Sequence, residues 1–387
     1  MMFDEPLRFP DGLDASGFLK EYWQKQPLLL PAAFPNIESP LTGDELAGLA
    51  CEPDVESRVV VTNGNDYELH HGPFVTDDFR TFPESGWTLL VQDVDKHLPD
   101  LATVFYAFDF LPSWRIDDLM ISYAVPSGSV GPQVGSCDVF LIQVDGSRRW
   151  EVSKQKNLTE CGEDLKRVEG FVAEEQWTLK PGDTLYLPPG IAHHGVAESE
   201  CVTWAIGFRA PGHAELVGDF VNYIANRIDP SLLYSDADLT PGEVSDGLIS
   251  KQALRRVTSI LTDGLGYEPT DVADWFGRFI TEPKLWLRAR PPADSLNPDD
   301  VRERVGAGEA LWRHGMTLMA RCEEPKLLFV DGENIRYSEQ LGDLTRLLCS
   351  KRRLGADELS GWIGSREALG LLTDLCNRGA LLFDRDL

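Results

Sequence analysis

The sequence predicts an α+β chain built around a β-barrel or sandwich, and three observations predict it. From about residue 117 to 210, short apolar runs are separated by Gly and Pro turns at the spacing of an all-β core. Ahead of that stretch, capped helices are mixed with a hairpin signal. Behind it, apolar residues recur at three- and four-residue intervals, the period of amphipathic helices.

The elements follow in order. "DASGFLKEYWQKQPLLL" opens with an Asp cap, runs as an amphipathic helix and meets Pro27 before an apolar strand. "TGDELAGLA" is a second helix, with Thr42 and Glu45 in capping-box spacing. "SRVVVTNGNDYELHHG" gives two strands around Asn63-Gly64-Asn65. The central strands are "LMISYAVP", "DVFLIQV", "RRWEVS", "EEQWTLKPGDTLYLPPG", "HHGVAESE" and "CVTWAIGFRA". Within them, a "PGD" turn, an apolar strand and a "PPG" turn deliver histidines onto the next strand, a layout that recurs in cupins, the double-stranded β-helix barrels. "AELVGDFVNYIANRI", "DGLISKQALRRVTSILTDGL" and "DVADWFGRFITE" are helical, and the proline-rich "RARPPADSLNPDD" marks a boundary near 290–299. "KLLFVDGENIRY" reads as a hairpin about Asp331-Gly332, followed by helices at "QLGDLTRLLCS", "GADELSGWIG" and "REALGLLTDLCNRG" and a closing strand "ALLF". Helices with a small hairpin suggest a winged-helix-like module over 300–387, after a helical segment over 211–290 and a first domain over 1–210.

Composition limits the partners. Acidic residues number 63 against 36 basic ones, a formal net charge of -27, which repels nucleic-acid phosphates and favours a basic protein segment. The seven cysteines are widely spaced with no CxxC pair, so neither a disulfide framework nor a zinc knuckle is expected. The start "MMFDEPLRFPDGLD" lacks a basic, apolar leader, and no run of about 18 apolar residues occurs; a cytoplasmic protein without membrane spans is the expectation.

In that order, "YWQKQPLLL", "DELAGLA", "HGPF", "LLVQDV", "WRIDDLMISYAVPSGSVGP", "DVFLIQVDGSRRWEV", "PGDTLYLPPGIAHHG" and "AIGFRAP" resemble the bacterial ribosomal oxygenases. The resemblance covers nearly the whole chain. It implies a JmjC-type cupin barrel, a helical dimerisation segment that makes a homodimer, and a C-terminal winged helix. It also implies iron(II)- and 2-oxoglutarate-dependent hydroxylation of an arginine in a large-subunit ribosomal protein.

Such enzymes hold iron through an HxD pair and a distal histidine, two imidazoles and one carboxylate on one face of the ion, leaving three positions for 2-oxoglutarate and O₂. The resemblance places the distal histidine at His193. Where the HxD pair belongs, this chain reads "QVGSCD", with Gln133 at the histidine position and Gly135 at the aspartate position. Cys137 stands where a tyrosine usually follows, and alternation along one strand would put 133, 135 and 137 on the same face. Read from the sequence alone, Arg148 in "GSRRW" is an ordinary surface arginine; the resemblance reverses that and makes it the arginine that grips the far carboxylate of 2-oxoglutarate. Asp138 alternates away from the ligand positions and reads as structural, and His194 as a surface residue.

Three readings follow. One is a hydroxylase whose site is completed by unorthodox groups. Another is a catalytically silent relative that still binds a basic ribosomal protein segment. The last is a cupin for another metal or ligand, since an amide oxygen at Gln133, a thiolate at Cys137 and His193 would suit a softer ion such as zinc.

Overall fold

The computed structural model describes residues 6–156, 158–161, 165–237 and 249–386. Helix α1 (Ala15–Glu21) starts at Asp14, whose carboxylate accepts from the Gly17 amide at 2.7 Å. Strand β1 (Leu28–Leu30) follows, then α2 (Gly43–Leu49) with the Thr42/Glu45 capping box in place. β2 (Ser57–Asn63) and β3 (Asp66–His71) form the expected hairpin, turned by Gly64 at φ 65. β4 (Trp87–Val91) and the short α3 (Val94–His97) precede a run of 3-10 turns over Pro99–Phe108 that the sequence did not announce.

The centre is made by β5 (Ile116–Ala124), β6 (Gln133–Val134), β7 (Asp138–Asp145), β8 (Arg148–Ser153), β9 (Thr159–Cys161), β10 (Arg167–Glu169), β11 (Glu175–Leu179), β12 (Thr184–Leu187), β13 (Ala192–Ala197) and β14 (Cys201–Phe208). They build two antiparallel sheets, one ordered β1-β12-β7-β14-β5-β4-β2-β3 and the other β11-β8-β13-β6-β10-β9. From β6 to β8 and from β11 to β14, successive strands pass from one sheet to the other, which is the winding of a double-stranded β-helix. Each sheet keeps open edges, so the core is two layers, not a ring closed by hydrogen bonds.

Period-two alternation divides the side chains between two cores. Phe140, Ile142, Tyr186, Trp204, Ile206 and Phe208 turn outward against Phe18, Phe34 and Phe108 of the N-terminal elements. Their neighbours Leu141, Leu185, Leu187 and Ala205 turn inward to meet Trp150, Val152 and Leu179 of the second sheet. The outward cluster is aromatic and fully buried, so truncating one of its rings costs about 3–5 kcal/mol. The inward layer is thinner because its face also forms the site.

After Ala210 come α4 (His213–Ala225), α5 (Lys251–Gly264), α6 (Pro269–Thr281) and α7 (Pro298–Gly306). The start of the helical stretch read at "DGLISKQ" falls partly outside the described residues. β15 (Leu311–Arg313), β16 (Met319–Cys322), β17 (Leu327–Val330) and β18 (Glu333–Arg336) follow. The chain closes with α8 (Gly342–Ser350), β19 (Arg353–Leu354), α9 (Ala356–Leu359), α10 (Arg366–Asn377) and β20 (Leu381–Phe383).

By their packing these segments fall into two compact units: Met1–Ala210 with Pro283–Leu318 and Arg346–Leu387, and Pro211–Glu282 with Met319–Thr345. In the second unit, α6 lies on the sheet β16-β17-β18. Gly277 makes that approach possible, since a Cβ there would stand 2.2 Å from the Phe329 ring. The turn joining β17 to β18 places Asp331 at φ 50 and Gly332 at φ 83, the paired positive angles that a tight hairpin needs. In the first unit, the sheet β19-β15-β20 packs with α10, which also packs on α7.

Candidate functional site

Strand β13 carries His193 between Gln133 of β6 and Val152 of β8 in the ladder. The imidazole is buried, and its Nδ1 lies 3.1 Å from the Ile191 carbonyl oxygen, which accepts the Nδ1 proton. That leaves a lone pair on Nε2, and Gln133 Nε2 sits 3.2 Å away to donate into it. Burial pushes the His193 pKa down to about 4, because the charged ring would lose its water, so the ring is neutral near pH 7.

Gly135 completes the approach. A Cβ there would point at His193, 3.7 Å from its Cε1, in ordinary contact. The three positions singled out by the sequence, 133, 135 and 193, are therefore brought together in space.

Cys137 does not extend that row. β6 ends at Val134 and β7 begins at Asp138, and residues 135–137 carry the chain from one sheet to the other, which breaks the alternation expected through 137. Burial, with Asp117 and Asp118 nearby, pushes the Cys137 thiol up to about 11, so without a metal it stays protonated near pH 7. Asp138 is structural, as expected: it is fully buried and accepts from Tyr186 Oη at 2.6 Å, Arg115 Nη2 at 2.9 Å and Gln24 Nε2 at 3.0 Å.

These residues do not fit an iron(II) site. Two imidazoles and a carboxylate are needed on one face; here there is one imidazole, its free nitrogen occupied by an amide, and a glycine in place of the acid. Among the described residues, no group of three or more His, Cys, Asp or Glu side chains is arranged to hold a metal ion.

Arg148 is not a surface residue. It is 3% exposed at the start of β8, with its guanidinium 5.0 Å over the Trp150 ring and Nη1 donating to Ser122 Oγ at 3.2 Å. Its Nε has no partner, and burial pulls its pKa down. Trp150 in turn lies 6.0 Å, ring to ring, from His193. Arg149 points to the opposite face and pairs with Glu151 and Glu198. His194, read as a surface residue, is half-buried and bridges Glu151 at 3.2 Å and Ser129 at 3.0 Å, tying β13 to the loop before β6.

Sequence reasoning missed the inner face of β5. Asp118, Met120 and Ser122 share it by alternation, and Ser122 meets Arg148 there. Burial pushes the Asp118 carboxyl up to about 7, opposed by Lys96. Gln92 Nε2 donates to it at 2.5 Å, while Lys96 reaches Asp93 at 2.9 Å and Lys284 reaches Asp93 at 2.5 Å. The parity of "IDDLMIS" was the available signal for Asp118 and Ser122; nothing local points to Lys284.

Strand exchange between two antiparallel sheets defines a double-stranded β-helix protein; residues 103–216 match the JmjC domain, and 259–382 match the ROXA-like winged helix. The chain belongs to the ribosomal oxygenase family: it is 34% identical over 386 residues to the ribosomal protein uL16 3-hydroxylase of Escherichia coli K12, covering 99% of this chain and 100% of that one. It is 32% identical to the probable ribosomal oxygenase of Haemophilus influenzae, covering 95% and 91%. Among solved structures, E. coli YcfD matches with TM-score 0.86 at 33% identity over 98% of this chain and all of that one. YcfD in complex with cobalt and 2-oxoglutarate matches with TM-score 0.82 at 34% identity, covering 98% and 99%.

Proposed function

We propose that this chain is a member of the ribosomal oxygenase family that binds a basic segment of a large-subunit ribosomal protein without hydroxylating it. The observation that carries the reading is the 3.2 Å contact between Gln133 Nε2 and His193 Nε2, which takes up the nitrogen that a metal would need. Gly135 facing the same ring supports it, since the position that would offer a carboxylate offers no side chain. The formal charge of -27 supports a basic partner, and the name of the E. coli relative points to uL16 as the ribosomal protein concerned. A cytoplasmic location goes with that partner; among the described residues, no helix is long and apolar enough to cross a membrane.

The other two readings need more. Iron(II)- and 2-oxoglutarate-dependent arginine hydroxylation requires Gln133 to release His193 and two further ligands to be found. A softer-metal site requires a thiolate at Cys137, which burial opposes. What supports the hydroxylase reading is Arg148, kept at the position that the family uses for the 2-oxoglutarate carboxylate.

The protein is also proposed to be a homodimer through its helical segment. No residue of α5 is buried, and Leu254, Val257, Ile260, Leu261 and Leu265 present an exposed apolar stripe that a second copy would cover.

The test is isothermal titration of a synthetic basic uL16 segment into the purified protein with EDTA present. Binding that weakens as salt rises from about 0.05 to about 0.5 M supports the proposal. Absence of binding, or binding that returns only with iron(II), refutes it.

A further inference from the structure

We infer that the second compact unit binds a free α-amino acid with an apolar side chain, its carboxylate on Arg336 and its ammonium on Asp271. The place is a cavity of about 400 Å³ at the N-terminal end of α6, a size within the range of small-ligand pockets. Its lining residues come from α4, α6, β17 with the residue Pro325 ahead of it, and β18, all parts of one unit. Strand pairing shows how the space arises. Phe329 stands opposite Asn334 and Leu327 opposite Arg336 in the β17-β18 ladder, so these four side chains share one face. Helix α6 covers the first pair, with Gly277 on the Phe329 ring and Asp274 held by the Asn334 amide. The second pair shares the cavity with Thr270 and Asp271, where the helix has only begun. The sheet therefore runs on past the helix, and Tyr223 of α4 bounds the space that is left.

The polar groups of the cavity sort by what they already hold. Asp274 is saturated: it accepts from Tyr223 Oη at 2.8 Å, from Arg278 Nε at 3.2 Å on each oxygen, and from the Asn334 amide. Asp271 is not. One of its oxygens takes Arg227 Nη1 at 2.5 Å and the other the Glu268 backbone amide at 2.9 Å, which uses two of about four lone-pair sites. The Glu268 amide, and then Arg227, hold the Asp271 carboxyl below its ordinary range, so it is charged at neutral pH. Arg336 has no hydrogen-bond or ion-pair partner among the described residues, and its planar fork is shaped for a carboxylate. Arg336 and Asp271 thus line one cavity from different elements without reaching each other. Two arginines and two aspartates line the space, so their formal charges cancel and a ligand of one sign gains little from the field. A zwitterion spanning the gap satisfies both poles. Leu327, buried in the floor, and Pro325 offer apolar surface to its side chain.

Titration calorimetry of the full chain with L-leucine tests this, with isocaproate, which lacks the ammonium, and isoamylamine, which lacks the carboxylate, as comparators. L-Leucine should bind saturably with a Kd on the order of 1 mM or tighter. Each comparator should bind at least about 10-fold more weakly, because it leaves one pole unpaired. Arg336→Gln should weaken leucine binding about 10-fold or more, and so should Asp271→Asn, whose amide oxygen can still accept from the Glu268 amide. If Asp271→Asn loosens α6, Arg336→Gln carries the test, since Arg336 is exposed and its loss leaves no buried gap. No saturable binding of leucine by the parent, comparators that bind as tightly as leucine, or undiminished binding by Arg336→Gln overturns the inference. The cavity and His193 belong to different units, so the outcome is independent of the uL16 titration.

Discussion

Replacing Gln133 by histidine and Gly135 by aspartate rebuilds the missing ligands, and the structure indicates that position 135 has room for a side chain. A Cβ at 135 has no neighbour closer than 3.7 Å, and Gly135 is not at a positive φ, so the backbone accepts a side chain without strain. Losing glycine's freedom in the unfolded chain stabilises by about 0.4–1 kcal/mol, enough to offset part of the desolvation of the new carboxylate. At 133 the change removes the amide that caps His193 Nε2 and supplies a second imidazole from the adjacent strand. Removing even an outer partner of a metal ligand costs about 10- to 100-fold in affinity, so two restored ligands should tighten binding by at least about 100-fold. The assay is titration with cobalt(II) in a metal buffer, read by its visible absorption. Equal affinity in the parent and the double variant would refute the reasoning, as would a folded double variant that binds no cobalt.

Three further outcomes are expected. Gly277→Ala forces a methyl into the Phe329 ring and should destabilise by about 1–3 kcal/mol in urea unfolding; an unchanged midpoint would contradict the packing of α6 on its sheet. Asp118 holds its proton more tightly folded than unfolded, because its carboxyl is pushed up to about 7, so the stability it contributes is present at low pH and is lost as pH rises through that value. The melting temperature should therefore fall more between about pH 5 and about pH 8 in the parent than in Asp118→Asn. Leu254→Glu with Leu261→Glu puts charge into the exposed stripe of α5 and should yield a monomer by light scattering, with the helical content unchanged.

Much of the fold was legible because the signals are local. Strand parity with the "PGD" and "PPG" turns gave the strands of the core, and Asp331-Gly332 gave a turn whose angles the structure shows. The site was legible as a register: positions 133, 135 and 193 converge. What the sequence could not carry depends on partners far along the chain. The parity of "GSRRW" does not say which arginine faces inward, and only the pairing of β8 with β13 buries Arg148 and exposes Arg149 to its acids. The occupied His193 nitrogen is a contact across 60 residues, and the network under β5 draws Lys284 to Asp93 across 191. The break in alternation at 135–137 reflects the crossing between sheets, which no local pattern marks.

The most direct test of the account is mass spectrometry of a uL16 segment after incubation with the unmodified protein, iron(II), 2-oxoglutarate and O₂. The account predicts that the segment binds and leaves with its mass unchanged. A gain of one oxygen atom on an arginine, dependent on 2-oxoglutarate, would contradict it.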